Sequence, residues 1–188
     1  MMDITVVVPT IASRIQLLER ALRSVEGQTL RAAAVIVEPD HDRRGAAVTR
    51  NRALEKVRTE YTAFLDDDDE LYPQHLKLLA RHAVLGNLDV AYPYFDADHD
   101  LINTFGLPFD PALLRKANYI PVTVLARTDK VRQAGGFQPH PDENGDPCED
   151  WGLWLSMHDH GCRFGHLPKR TWRWHNDGRT TKGRPDRA

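Results

Sequence analysis

The chain has 188 residues, with 25 Lys+Arg against 27 Asp+Glu and a formal charge of −2, a length that suits one domain with a real core. A charged fraction of 28% beside 41% hydrophobic residues excludes a disordered chain, and the near-neutral balance argues against a dedicated nucleic-acid binder. Two cysteines, Cys148 and Cys162, exclude a disulfide framework.

The chain begins with Met1-Met2-Asp3, followed by the β-branched run Ile4–Val8 and Pro9, which reads as a strand buried on both faces. Neither a basic leader nor a cleavage site precedes it, and no apolar stretch approaches the roughly 20 residues of a membrane span. The expectation is therefore a cytoplasmic protein without a transmembrane segment. Arg14–Glu26 follows as a helix, with Leu17, Leu18, Ala21, Leu22 and Val25 at helical spacing. Ala33–Val37 is a second apolar run, ended by Glu38-Pro39-Asp40. Ala46–Val57 reads as a helix burying Val48, Ala53, Leu54 and Val57, and Tyr61–Leu65 as a third strand cut off by Asp66-Asp67-Asp68-Asp69. Pro73 suits a first helical position and opens Gln74–Leu85, after which Leu88–Tyr92 reads as a strand.

Strand and helix thus alternate, the signature of βαβ units around a mainly parallel sheet. From Asp96 to Pro147 prolines interrupt the pattern, with Val122–Ala126 as a strand and Asp129–Ala134 as a short helix. Glu149–His160 reads as a helix with Trp151, Trp154, Leu155 and His158 on one face, and Arg163–Leu167 as the last strand.

In an open parallel sheet, ligands bind beyond the carboxyl ends of the strands. Pro9-Thr10, Glu38-Pro39-Asp40 and the four aspartates follow the first three strands, which places all three clusters on one rim. Carboxylates two apart, as in Asp66 and Asp68, point the same way from a pleated strand and suit Mg²⁺ or Mn²⁺, which prefer oxygen ligands and leave positions open for phosphates. Glu149-Asp150 opens a helix, where an acidic residue either caps free N–H groups or serves as a general base. The segment 168–188 holds seven Lys+Arg against Asp177 and Asp186, a local charge of +5. Its interleaving with Trp172, Trp174 and His175 suits a phosphate ligand. No Cys/His spacing matches a structural zinc site, and phosphate-binding Gly-rich loops and nucleophile elbows are missing.

In order and spacing, Val6-Val7-Val8-Pro9-Thr10, Ala21-Leu22-Arg23-Ser24-Val25, Thr49-Arg50-Asn51-Arg52-Ala53-Leu54, Ala63–Asp69, Gly135-Gly136-Phe137 and Glu149-Asp150-Trp151-Gly152-Leu153-Trp154 resemble the glycosyltransferases of family 2. The resemblance runs from Val6 to about Lys182. It implies a single GT-A domain, an α/β Rossmann-like fold over 1–188. Residues 1–95 would form the nucleotide-sugar-binding half, 96–167 the acceptor half and 168–188 a basic tail.

The implied activity is metal-dependent, inverting transfer of a sugar from a nucleoside-diphosphate sugar such as a UDP-sugar. The acceptor would be the hydroxyl of a glycan, a small molecule or modified DNA, and its surface would come from residues 96–147, the basic tail or another subunit of an oligomer. The resemblance implies Asp150 as catalytic base. It implies Pro9, Thr10, Arg14, Glu38, Asp40, Asp66, Asp67 and Arg179 around the nucleotide sugar, and Asp68 and His175 at the metal. Asp66 and Asp68 form the D-x-D pair, and Asp67 and Asp69 share its spacing. The competing readings are a sugar-phosphate nucleotidyltransferase, which would release pyrophosphate, and a non-catalytic nucleotide-sugar-binding module. The Pro-rich loop Gln138–Cys148 is the candidate lid.

Overall fold

The computed structural model describes residues 2–97, 105, 107–141, 145 and 148–175. The first apolar run forms β1 (Ile4–Thr10), which runs past Pro9, and a 3-10 turn at Ala12–Arg14 leads into α1 (Ile15–Glu26). The chain continues through β2 (Ala34–Pro39), α2 (Ala46–Lys56), β3 (Tyr61–Phe64), β4 (Glu70–Leu71), α3 (His75–Gly86) and β5 (Val90–Ala97). The remaining elements are α4 (Pro111–Leu114), β6 (Leu125–Arg127), α5 (Thr128–Gln133), α6 (Glu149–Asp159) and β7 (Phe164–Trp174).

The seven strands form one sheet in the order β2-β1-β3-β6-β5-β7-β4. β1 pairs in parallel with β2 and β3, and β5 with β7, whereas β6 and β4 run against their neighbours. Five strands therefore point one way and two point back. Because β1 lies between β2 and β3, the first crossover steps outward from β1 to β2 and the second returns past β1 to β3 on its other side. Their carboxyl ends thus frame a topological switch point, where such sheets open a crevice.

The pleat explains the layers. In β1, Val7 faces one core with Ala53 and Leu54 of α2, Trp151 and Trp154 of α6, and Phe64. Its neighbours Val6 and Val8 face a second core with Leu18, Ala21 and Val25 of α1, and Leu76, Leu79 and Ala83 of α3. Helices thus cover both faces of the sheet. β2 is an edge strand, and its Val35 and Val37 remain 44% and 36% exposed.

Several expectations shift. Pro73 precedes α3 by two residues, and Gln74 occupies the N-cap. The buried residues of α6 are Trp151, Leu153, Trp154 and Met157, so the expected pair Leu155 and His158 yields to Leu153 and Met157. On α2 the buried set is Thr49, Arg50, Ala53 and Leu54, with Val57 buried just beyond the helix and Val48 only half-buried. The last strand runs far beyond Leu167 to Trp174, pairing with β5 across register shifts at Pro93/Tyr94 and Tyr94/Asp96. Such irregularities accommodate Pro168 and the cationic run that hide this strand from period counting.

Candidate functional site

The carboxyl ends of β1, β2 and β3 carry Thr10, Pro39 and the aspartate run to one rim, as anticipated. The run divides sharply. Asp67 is buried, accepting from Thr10 Oγ1 at 2.7 Å and from Arg14 Nη1 at 2.9 Å. Asp66, Asp68 and Asp69 instead converge, with ligand oxygens within 4.8 Å of one another. Arg14 Nη1 also reaches Asp68 Oδ2 at 3.1 Å, and the Arg20 guanidinium donates to the Asp68 carbonyl oxygen.

Burial, then the nearby Asp66 charge, pushes the Asp68 carboxyl up to about 6 despite Arg14. The same two causes, with Asp68 as a further like charge, hold Asp69 well above the usual carboxylate range. Two carboxylates held above their ordinary range beside a third are an unmet demand for positive charge, and the all-oxygen donor set of the trio fits a hard divalent cation. Asp66, Asp68 and Asp69 are thus the residues that would hold such an ion.

The C-terminal end of β7 closes the cluster from the far edge. The His175 backbone N–H donates to Asp69 Oδ1 at 3.1 Å, and its Nε2 lies 3.5 Å from Glu70 Oε2. Desolvation, followed by the charge of Arg20, lowers the His175 pKa below the ordinary histidine value, so the imidazole is neutral at neutral pH. Of the basic tail, Lys169, Arg170, Arg173 and His175 belong to the described residues, and Arg179 lies outside them.

The second half of the site arrives on α6. Arg50, 3% exposed, extends from α2 between two carboxylates. Its Nη2 donates to Asp66 Oδ1 at 2.5 Å and its Nη1 to Glu149 Oε1 at 2.6 Å. The flanking ring of Phe137 lies 5.3 Å from its guanidinium carbon. The two carboxylates raise the pKa of Arg50 against the opposing desolvation, so it stays charged. One buried cation therefore ties the aspartate run to the first turn of α6.

Asp150, the next residue, accepts at Oδ1 from Asn118 Nδ2 at 3.1 Å and from the Trp151 backbone N–H at 2.8 Å. Burial, then Glu149, pushes its carboxyl up to about 6, with Arg50 and Asn118 opposing. Two glycines allow this assembly to close. A Cβ at Gly152 would lie 2.2 Å from the Gln138 carbonyl oxygen, and one at Gly136, whose φ is +72°, would meet Asn51 Oδ1 at 2.5 Å. Asn51 in turn exchanges two 2.9 Å hydrogen bonds with the backbone of Phe137.

Glu38 is buried beside Lys56 and Arg52, and Asp40 accepts from the Arg44 and Gly45 backbone N–H groups at 2.9 and 2.8 Å, shaping the turn into α2. Pro9 sits opposite Glu38 in the β1–β2 register. Thr10, Arg14, Asp66, Asp67, Asp68, Asp150 and His175 thus gather along the rim, with Glu38 and Asp40 on its β2 side. Sequence reading passed over Arg20, Arg50 as a site residue, and Asn118. For Arg50 the available signal was a charged residue on an otherwise apolar helical face, one turn ahead of Ala53 and Leu54.

Residues 32–124 match the model of the family described as Glycosyl transferase family 2. The chain belongs to this family. The match takes in α2 and the aspartate run and stops before α6, so the Asp150 half of the site rests on geometry and motif order. An uncharacterized glycosyltransferase of Escherichia coli, YibD, is 47% identical over 47 residues, 25% of this chain and 14% of that protein. The structure of S. aureus TarS 1–349 in complex with UDP-GlcNAc superposes with a TM-score of 0.75 at 15% identity, over 93% of this chain and 59% of that one. The mannosyltransferase PcManGT from Pyrobaculum calidifontis, in complex with GDP-Man and Mn²⁺, gives 0.65 at 15% identity, over 92% and 56%. At such identities the shared property is the fold, and the chain spans less than two thirds of each of these relatives. Among the described residues no helix is long and apolar enough to cross a membrane.

Proposed function

We propose that the chain is an inverting glycosyltransferase that moves a sugar from a nucleoside-diphosphate sugar, with a UDP-sugar as the first candidate, to an acceptor hydroxyl with the help of a divalent cation. The observation that carries this reading is the convergence of an acidic cation cluster and a second, separately held carboxylate, Asp150, on one rim of the sheet, joined through Arg50. Two acidic centres with different surroundings suit two tasks, charge neutralisation at the leaving group and proton removal at the nucleophile.

In this reading Asp66, Asp68 and Asp69 hold the cation, with His175 beside them. When bound, the ion supplies positive charge against the diphosphate as the anomeric C–O bond breaks. Asp150 takes the proton of the acceptor hydroxyl. Its carboxyl, raised to about 6 by burial, is largely ionised at pH 7 and remains a competent base, which is the useful range for a general base. Attack from the face opposite the leaving group inverts the anomeric carbon. Pro9, Glu38 and Asp40 lie where the β1–β2 end of the rim would meet the nucleotide base, and Thr10 and Arg14 brace Asp67 beneath it. The UDP-GlcNAc and GDP-Man complexes of the two structural neighbours support a nucleotide-sugar donor.

Thermal stability with UDP, GDP, CDP and dTDP, each with Mn²⁺ or EDTA, tests the donor site. One nucleotide should stabilise the protein by about 2.7 kcal/mol at a hundredfold excess over Kd, only with metal. Product analysis should then show nucleoside diphosphate and no pyrophosphate. Asp150→Asn should retain the nucleotide shift and lose about 10²–10⁴-fold in turnover; near-normal turnover would remove Asp150 from its role.

A further inference from the structure

Asn118 stands in the turn between α4 and β6, outside any motif, yet its surroundings are built with care. Two indole N–H groups from α6 clamp this segment on either side: Trp151 Nε1 donates to the Leu114 carbonyl at 2.7 Å and Trp154 Nε1 to the Ile120 carbonyl at 3.1 Å. The Asp110 backbone N–H donates to Tyr119 Oη at 2.7 Å, which secures the same turn. Between the clamps, Asn118 Nδ2 reaches Asp150 Oδ1. The Asn118 carbonyl oxygen, Oδ1, is buried and takes no hydrogen bond among the described residues. With its acceptor end unpaired, the amide keeps one side-chain partner among the described residues, Asp150, and a polar group held for that single contact calls for a reason.

The geometry at Asp150 supplies one. Oδ1 accepts two hydrogen bonds, from Asn118 and from the Trp151 backbone, which occupy the lone-pair positions of a carboxylate oxygen. Oδ2 accepts none among the described residues.

We propose that Asn118 is a positioning residue for the base, fixing Asp150 so that Oδ2 is the atom that receives the acceptor's proton. This inference rests on the function proposed above. In the step concerned, the acceptor O–H bond breaks and its proton passes to Oδ2. The freed oxygen pair forms the new bond to the anomeric carbon, and the old anomeric C–O bond leaves with its electrons on the nucleoside diphosphate. Asn118 touches neither sugar nor acceptor in this scheme; it acts through Asp150, stabilising the ionised form and holding the carboxylate plane. The other charged groups facing Asp150 are Glu149 and Arg50, and both stay in place when Asn118 is changed.

The test needs no substrate. Carbon-13 NMR of aspartate carboxyl groups, with the Asp150 signal assigned from Asp150→Asn, follows its titration in the wild type, in Asn118→Ala and in the isosteric Asn118→Asp. Loss of the N–H donor should raise the Asp150 midpoint by about one pH unit in Asn118→Ala, and further in Asn118→Asp, where a like charge is added. An unmoved midpoint in folded variants overturns the proposal, as does failure of both variants to fold, which would make Asn118 a structural residue.

A second arm measures nucleoside diphosphate release from UDP-GlcNAc and GDP-Man with Mn²⁺ and water as acceptor. There kcat should fall by about ten- to a hundredfold at unchanged donor KM, with the acid limb of the pH profile displaced upward. If the wild type turns over neither donor, the functional reading fails, while the titration still decides the Asn118–Asp150 link.

Discussion

Arg50 and Asp68 lie on opposite sides of one charge balance, and their replacements should act with opposite signs. Arg50 is the buried cation between Asp66 and Glu149. Replacing it with Met fills the same volume but leaves two carboxylates facing each other. Breaking a buried pair in this way is worth about 3–5 kcal/mol. Asp66 and Glu149 keep some contact with water, so a loss near 3 kcal/mol is expected, read as a fall in Tm of roughly 6–12 °C. Asp68 is the reverse case. Its carboxyl is raised to about 6 by burial and by Asp66, so its ionised form weighs against the fold at neutral pH. Asp68→Asn should raise the Tm of the metal-free protein, by an amount typical of a stabilising site change, about 0.5–2 kcal/mol. The same variant should abolish the metal-dependent nucleotide shift. A fall in metal-free Tm would show that Arg14 needs Asp68 as well as Asp67.

At the scale of elements, the packing of α3 on β7 carries a titratable group away from the site. His75 is fully buried, with Nδ1 2.8 Å from Thr171 Oγ1, and its Nε2 takes no hydrogen bond among the described residues. Desolvation pushes its pKa down to about 3 from the ordinary 6.5. Below pH 6.5 the unfolded chain therefore binds a proton that the folded protein refuses, and this contribution to stability is lost as pH falls from 6.5 towards about 3. The slope approaches about 1.4 kcal/mol per pH unit. Asp68 and Asp150 act in the opposite sense over the upper part of that range, because their raised values favour the folded state as pH falls. Thermal unfolding of the wild type and of His75→Asn across pH 4–7 isolates the histidine. The difference between the two should change with pH, and parallel curves would show that the imidazole titrates in the fold as it does in the unfolded chain.

The same scale shows which elements were open to pattern reading. α1, β1 and β3 carry uninterrupted periodicity, and each lies where Leu18, Val6, Val8 and Phe64 imply. α2 conceals Arg50 on its buried face because the compensating charges come from Asp66 and from Glu149, 99 positions away. On α6 the apolar residues crowd both sides of the helix, and packing into the core shared with α2, α4 and α5 selects Leu153 and Met157 over Leu155 and His158. β4 is two residues long and exists as a strand only through its pairing with β7.

Over the whole molecule, two apolar cores pack both faces of the sheet, and the acidic cluster lies outside them. EDTA alone should therefore leave the Tm of the nucleotide-free protein unchanged, and should cancel the added stability only when nucleotide and metal are both present. A collapse with EDTA alone would turn the acidic cluster from a binding site into a structural centre.

The sequence by itself determined the α/β winding, the placing of the aspartate run at the end of β3, and Asp150 at the start of α6. These follow from periodicity, strand direction and helix-start chemistry, all local along the chain. Only the tertiary structure decided that Asp67 turns inward to Thr10 and Arg14 while Asp66, Asp68 and Asp69 converge, that Arg50 joins the two acidic centres, and that Asn118 holds Asp150 from 32 positions away. The reason is physical: a buried charge or amide takes whatever partner the packed sheet and helices bring within about 3 Å, and that choice is made by the fold as a unit, across separations no local pattern records.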